Sequence, residues 1–266
     1  MSKGTVLVVV SSASKFELKF GKVASVGVYL NEFVVPTLAV LRAGYDIVIA
    51  SPDGKPPVID AHSRDASHFG NDDLAFREAL HFVEKDPRAL EPQTLKSVID
   101  GGLDRFIGVF VPGGHAPIVD LAQDSNFGQV LRHFHAKGKP TALLCHGPIA
   151  LIASVPDAKT FVAALESGDR ARAEASAAGW IYTGYEMTIF SNDEEKIAEV
   201  QLLHGQMKYY VGDALSAAGG ILTSNVKPFD PHVTRDRELI TGQNPASDHG
   251  IADALVKALD EVAVQV

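Results

Sequence analysis

The chain has 266 residues, 46% of them hydrophobic, with 24 Lys and Arg against 33 Asp and Glu for a net charge of −9 at neutral pH. That length and apolar content suit one large α/β domain spanning residues 1–266, and the acidic balance, without a Lys/Arg cluster to neutralise phosphates, argues against nucleic acid as a partner. No apolar run approaches the ~18 residues of a membrane span and the N-terminus enters a strand without a signal-peptide pattern, so no membrane partner and a cytoplasmic location are expected.

Thr5 to Val10 is a continuous apolar, mostly β-branched run, which reads as the first strand of a parallel sheet covered on both faces. Ser11 to Gly21 follows as loop. Gly27 to Gly44 has helical spacing and a glycine stop, with Pro36 expected to kink the helix or delay its start. Asp46 to Ser51 is the second buried strand. This strand, helix, strand order is a βαβ unit, and it puts Glu32 early on the crossover helix, near the carboxyl ends of the strands.

Pro52 to Gly70 reads as surface loop with a possible short hairpin, Asp72 to Val83 as weak helix, and Pro92 to Leu95 as a connector. Phe106 to Pro112 is a third buried strand that runs into Gly113-Gly114-His115. A glycine pair at a strand end is either a tight turn or a place where bare N–H groups face a ligand. Ser125 to Lys137 is an amphipathic helix.

The run Thr141-Ala-Leu-Leu144 then stops at Cys145-His146-Gly147-Pro148, and an alanine-rich helical pattern follows. This is a strand-to-helix elbow of the kind that pushes a nucleophile out of the sheet edge over the N–H groups of the next helix. Cys145 is the only cysteine, so it has no disulfide partner in the chain and no second thiolate for a metal. Its thiol is buried filler or chemistry, and the neighbours favour chemistry: an adjacent imidazole, a glycine that permits close approach, and a proline suited to a first helical turn. Helix dipole and imidazole together predict a lowered thiol pKa.

Lys159 to Gly179 reads as an amphipathic helical insertion, a cap or an interface. Trp180 to Phe190 is β-like, and Ser191 to Lys196 resembles a helix N-terminus with acids in its first turn. Tyr209 to Ala218 is helical, Gly220 to Thr223 and Glu238 to Thr241 are short strands, and Asp248 to Val262 is the last helix. Alternating strands and helices imply an open, doubly wound, mostly parallel sheet of the flavodoxin-like kind.

Val109-Phe-Val-Pro-Gly-Gly-His115, Leu144-Cys-His-Gly-Pro148, Thr183-Gly-Tyr with Phe190-Ser-Asn-Asp-Glu-Glu195, and Leu239 to Ser247 occur in the order seen in the ThiJ/PfpI superfamily. The chain resembles that superfamily from Val6 to about Leu259, and within it the heat-shock-protein-31 type. The resemblance implies a glutathione-independent glyoxalase, with stress-chaperone or protein-deglycase activity as the alternative. A Cys-dependent amidase or peptidase remains open from the elbow chemistry. Position by position, it implies Cys145 as nucleophile, His146 as its histidine, and Glu195 as the acid with Glu194 as rival. Glu32 is implied to stand over the thiol, and the N–H groups of Gly114 and His146 to form the oxyanion site. No cofactor is implied, the substrate would be a small aldehyde, and a homodimer is expected. Some relatives hold a metal through positions that fall here on Leu41, Asp46 and His115; leucine cannot ligate, so no metal is expected.

Overall fold

The computed structural model describes residues 2–263. Its central sheet has seven strands: β1 (Thr5–Val9), β2 (Asp46–Ser51), β3 (Gln93–Thr94), β4 (Phe106–Val111), β5 (Thr141–Leu144), β6 (Val233–Asp236) and β7 (Leu239–Gly242), in the order β6-β7-β5-β4-β1-β2-β3. Every pairing is parallel except the β6-β7 hairpin. Val6, Leu7, Val8 and Val9 are all fully buried although their side chains alternate between faces, so helices cover the sheet on both sides. The doubly wound α/β fold expected from the sequence is the one observed.

Helix α1 (Leu30–Arg42) runs through Pro36 without a break. Proline has no N–H to offer the carbonyl of Glu32 four residues earlier, a loss the buried packing of Phe33, Val34 and Val40 outweighs. The last helix, α2 (Asp248–Ala263), packs against α1 and along β7, β5 and β4. Together these two helices fix the wall of the site described below.

Several segments differ from the sequence reading. Ser11 to Gly21 is not plain loop, since Lys15–Glu17 pairs antiparallel with Val23–Ser25. Pro92 to Leu95, expected as a connector, leads straight into a helix, Leu95–Asp100, with Thr94 as its N-cap. After the elbow the chain forms an eight-residue 3-10 run, Gly147–Ser154, rather than an α-helix. All eight of its residues are buried, so no polar face sets a helical period. Trp180 to Phe190 is turn and irregular chain, with only Glu186–Met187 paired as strand, to Ile221–Leu222. Residues 159–179 contain helices Ala158–Glu166 and Arg170–Ser176, which set Phe161, Ala164 and Ala173 into the core. Among the described residues no helix is long and apolar enough to cross a membrane.

Candidate functional site

The site lies at the carboxyl ends of β4 and β5. Cys145 takes up φ +58°, a left-handed conformation that costs a non-glycine residue roughly 1–2 kcal/mol. Its N–H donates to Gly242 O at 2.8 Å and its carbonyl accepts from Phe190 N at 3.0 Å, so β7 and the 180–190 segment hold the strained elbow from two sides. That strain turns the thiol out of the sheet edge and toward His146 and α1.

The glycine pair after β4 permits α1 to approach. A methyl on Gly113 would fall against Glu32 Oε2 and lie 2.5 Å from Leu144 O and 2.7 Å from Cys145 Cβ. At Gly114, which has φ +81°, a methyl would strike the carbonyl of Gly27. Only glycine fits either place, and the first turn of α1 therefore comes down on the elbow. Gly113 N donates to Glu32 Oε2 at 3.0 Å, while Glu32 Oε1 has no hydrogen-bond partner and the whole side chain is fully buried. Burial pushes the Glu32 carboxyl well above the usual carboxylate range; the Cys145 thiol and the Gly113 N–H offset this in part, and the charge of Asp248 adds to it.

Cys145 departs from expectation in one respect. Burial and the Glu32 carboxylate push its thiol well above the ordinary value, and the Gly114 N–H beside it counteracts them only in part. The lowering expected from a helix dipole and an imidazole is outweighed chiefly by that burial and by Glu32, and two further features weaken it. The segment after the elbow is a 3-10 run, and His146 is held neutral, its pKa lowered by burial and by the neighbouring His115.

His146 Nδ1 lies 3.3 Å from Cys145 Sγ, and its Nε2 lies 2.8 Å from Glu195 Oε2. A neutral imidazole that donates from Nε2 presents an acceptor at Nδ1, which is the tautomer needed to take the thiol proton. The other carboxylate oxygen, Glu195 Oε1, accepts from His115 Nε2 at 2.9 Å. The two imidazoles lie with centroids 4.0 Å apart and planes tilted by 40°, and Phe190 covers His146 at 4.4 Å. Burial pushes the Glu195 carboxyl up, but the two imidazoles outweigh it and hold it well below the usual range.

The geometry separates the two adjacent acids. Glu195 faces the imidazoles, whereas Glu194 closes a capping box with Ser191 and accepts from Gln243 Nε2, Asn244 Nδ2 and Phe229 N. One acid is joined to the elbow histidine and the other to loops beside it. The sequence reading found Cys145, His146, Glu32, Gly114 and Glu195 together, but it missed the bond from His115 to Glu195. The only hint was that a histidine follows the glycine pair.

His115, His146 and Glu195 also have ligand types and spacing that could hold a metal ion. The three positions carried over from metal-binding relatives do not converge. His115 is in this cluster, whereas Leu41 is in the last turn of α1 and Asp46 opens β2, paired with the first residue of β1 at the opposite sheet edge. A site built from Leu41, Asp46 and His115 does not fit this chain.

A cavity of about 480 Å³ opens over Cys145 and His146, within the size range of small-molecule sites. Tyr29, Phe69, Phe190 and Phe229 give it apolar walls, and Asn31 and Asp248 supply polar groups. No residue of 159–179 lines it; residues 67–70 and Pro245, Ala246, Asp248 and His249 do instead.

Comparisons with known proteins agree with this architecture. The profile of the DJ-1/PfpI family matches residues 23–160, just over half of the chain, including Glu32, Gly114 and the elbow. A protein/nucleic acid deglycase HchA from Pseudomonas aeruginosa is 24% identical over 246 residues, covering 91% of this chain and 76% of that protein. Among solved structures, the Rapid Encystment Protein 24 KDa of Francisella tularensis superposes with a TM-score of 0.73 at 23% identity, covering 96% of this chain and 99% of that one. Glyoxalase III from Candida albicans superposes with a TM-score of 0.68 at 20% identity, covering 96% and 97%. With a flavodoxin-like sheet, a cysteine at the elbow and a family match that spans both, the chain belongs to the DJ-1/PfpI family.

Proposed function

We propose that this protein is a cofactor-independent glyoxalase that converts methylglyoxal or glyoxal, without glutathione, into a 2-hydroxy acid. The observation that carries this reading is the buried Glu32 carboxyl beside the Cys145 thiol, anchored through Oε2 and without a partner on Oε1. A hydrolase needs a nucleophile, an oxyanion site and a water. Isomerising a 2-oxoaldehyde also needs a base that removes a proton from one carbon and returns it to the next, and a carboxyl with a raised pKa suits both halves of that task.

Cys145 Sγ adds to the aldehyde carbon as the thiol proton passes through His146 Nδ1 or Glu32 to the new oxygen, giving a hemithioacetal. The N–H groups of Gly114 and His146 stabilise the oxyanion as it forms. Glu32 then removes the proton from the carbon bonded to sulfur and returns it to the neighbouring carbonyl carbon through an enediol. The product is a thioester of the 2-hydroxy acid, which water cleaves to restore the thiol. The net change is addition of one water, with the oxidation of one carbon balanced by the reduction of its neighbour. Glu195 orients His146, and His115 fixes Glu195.

A second reading, removal of the same aldehydes from amino groups, draws on the name of the HchA relatives. It would use the same thiol on a larger, amine-bearing substrate. The net charge of −9 makes nucleic acid the less suited carrier. NMR of the purified protein with methylglyoxal decides the main reading. Lactate formed without glutathione, and lost in Cys145→Ala, supports it; no lactate from the wild type overturns it. Sedimentation of the same sample tests the expected homodimer.

A further inference from the structure

Beside the thiol, the cavity holds a polar corner that the proposed chemistry does not use. Asn31 is almost fully buried, and both N–H bonds of its amide are committed, to Pro245 O at 3.0 Å and to Asp248 Oδ2 at 2.9 Å. These bonds fix which end of the amide is oxygen. Oδ1 is left with no hydrogen-bond partner although it is shielded from solvent, and Asn31 lines the cavity. A buried acceptor without a donor costs about 1–3 kcal/mol, which a ligand that brings a donor would recover.

Asp248 lies next to it, also buried and lining the same cavity, with Oδ1 accepting from His249 N at 2.7 Å. No lysine or arginine is among the described residues lining the cavity; its other titratable groups are Tyr29, Cys145 and the imidazoles of His68, His115, His146 and His249. Asp248 adds to the cost of ionising the nearby Glu32, while burial raises Asp248 itself and Asn31, the His249 N–H and the His249 and His68 rings offset this in part.

We propose that Asn31 Oδ1 and the Asp248 carboxyl form the subsite for the part of the substrate remote from the reacting carbonyl, selecting a compound with a hydrogen-bond donor there, hydroxyl or amine, over one with a carboxylate or phosphate. The proposal rests on the reading of Cys145 as the group that attacks a carbonyl, and it names the class of carbonyl compound. A donor completes Asn31 and can share Asp248, whereas an anion meets the Asn31 oxygen and a carboxyl with no lysine or arginine among the described lining residues. Desolvating an anion against such a surface is unfavourable.

Alkylation of Cys145 tests the subsite independently of turnover. Iodoacetamide is uncharged and carries an amide donor, iodoacetate carries a carboxylate, and 2-bromoethylamine carries an ammonium. Rates are read by intact mass on the full-length protein and divided by those of free N-acetylcysteine, which removes intrinsic reactivity. We expect the iodoacetamide-to-iodoacetate ratio to exceed that of the free thiol at least tenfold. Asp248→Asn, which keeps the shape and removes the charge, should cut this excess at least fivefold, and Asn31→Leu should slow iodoacetamide selectively. A larger normalised rate for 2-bromoethylamine than for iodoacetamide assigns the subsite to amines, the reverse order to neutral donors. Ratios in Asp248→Asn within twofold of wild type overturn the subsite, even if methylglyoxal is turned over. Should the ratios shift as expected while no lactate forms, the subsite stands and the glyoxalase reading falls.

Discussion

Glu32 and Cys145 face each other across the α-carbon of Gly113, both buried; burial and the Glu32 carboxylate raise the thiol's pKa, while hydrogen bonding to the thiol offsets part of the burial that raises Glu32. Two ionisable groups so placed cannot both carry negative charge without a large penalty, so the pair holds one proton over a wide pH range and titrates as a unit. Glu32→Gln ends that sharing. Methylglyoxal turnover should fall ~100-fold or more, the range typical of a lost general base. The pH midpoint of Cys145 alkylation should move down, because a negative neighbour has gone. Near-normal lactate formation in the variant would remove Glu32 from the mechanism.

The same substitution should stabilise the fold. A carboxyl whose folded pKa is raised contributes stability below its unfolded value near 4.3, and loses it as pH rises through the folded value. At neutral pH the wild type therefore bears the cost of a buried acid that Gln lacks. We expect Glu32→Gln to be more stable than wild type by about 1–3 kcal/mol at pH 7, the scale of a buried unsatisfied polar group. The gain should vanish near pH 4. Equal urea midpoints at pH 7 would show that the carboxyl is not strained by its surroundings.

Much of this was legible because glycine, proline and cysteine mark the backbone locally. Gly113-Gly114 and Cys145-His146-Gly147-Pro148 lie at the ends of apolar runs, so the sequence put both beside the active edge, and α1 carried Glu32 there by connectivity. Other features depend on tertiary contact. The Ser191-Asn-Asp-Glu194 spacing is a capping-box signature that ties Glu194 to the helix start, but that Glu195 meets the imidazoles while Glu194 meets Gln243 and Asn244 is settled only by tertiary contact. The Val233–Asp236 strand was missed because its half-exposed residues show no buried alternation. The thiol pKa was misjudged because burial, the strongest influence on it, is not written in the neighbouring residues.

Activity should fall on the acid side as His146 gains a proton. Burial and His115 lower its pKa, so the neutral imidazole persists below the ordinary value near 6.5, and the acid limb of kcat/KM should lie below that pH. His115→Phe keeps the ring but removes the donor to Glu195 and the nearby partial charge. The acid limb should then move up in pH, as one of the two influences that lower His146 is lost. An unchanged pH profile would restrict His115 to packing.

The helices between 158 and 176 give a last test, since they were expected to cap the site or form an interface, and neither lines the cavity. Phe161 is fully buried in the common core, and Trp180 just beyond donates from Nε1 to Ser154 Oγ at 2.9 Å, tying the segment to the 3-10 run after the elbow. Phe161→Ala should therefore cost about 3–5 kcal/mol, as for other buried aromatic truncations. Because the residue does not line the cavity over Cys145, the folded fraction should alkylate at the wild-type rate. Urea denaturation and iodoacetamide kinetics on one preparation measure both quantities. A loss under 1 kcal/mol would mean that the segment is dispensable to the core and would return it to the role of an interface. A wild-type stability with altered alkylation would instead make it part of the access route to the thiol.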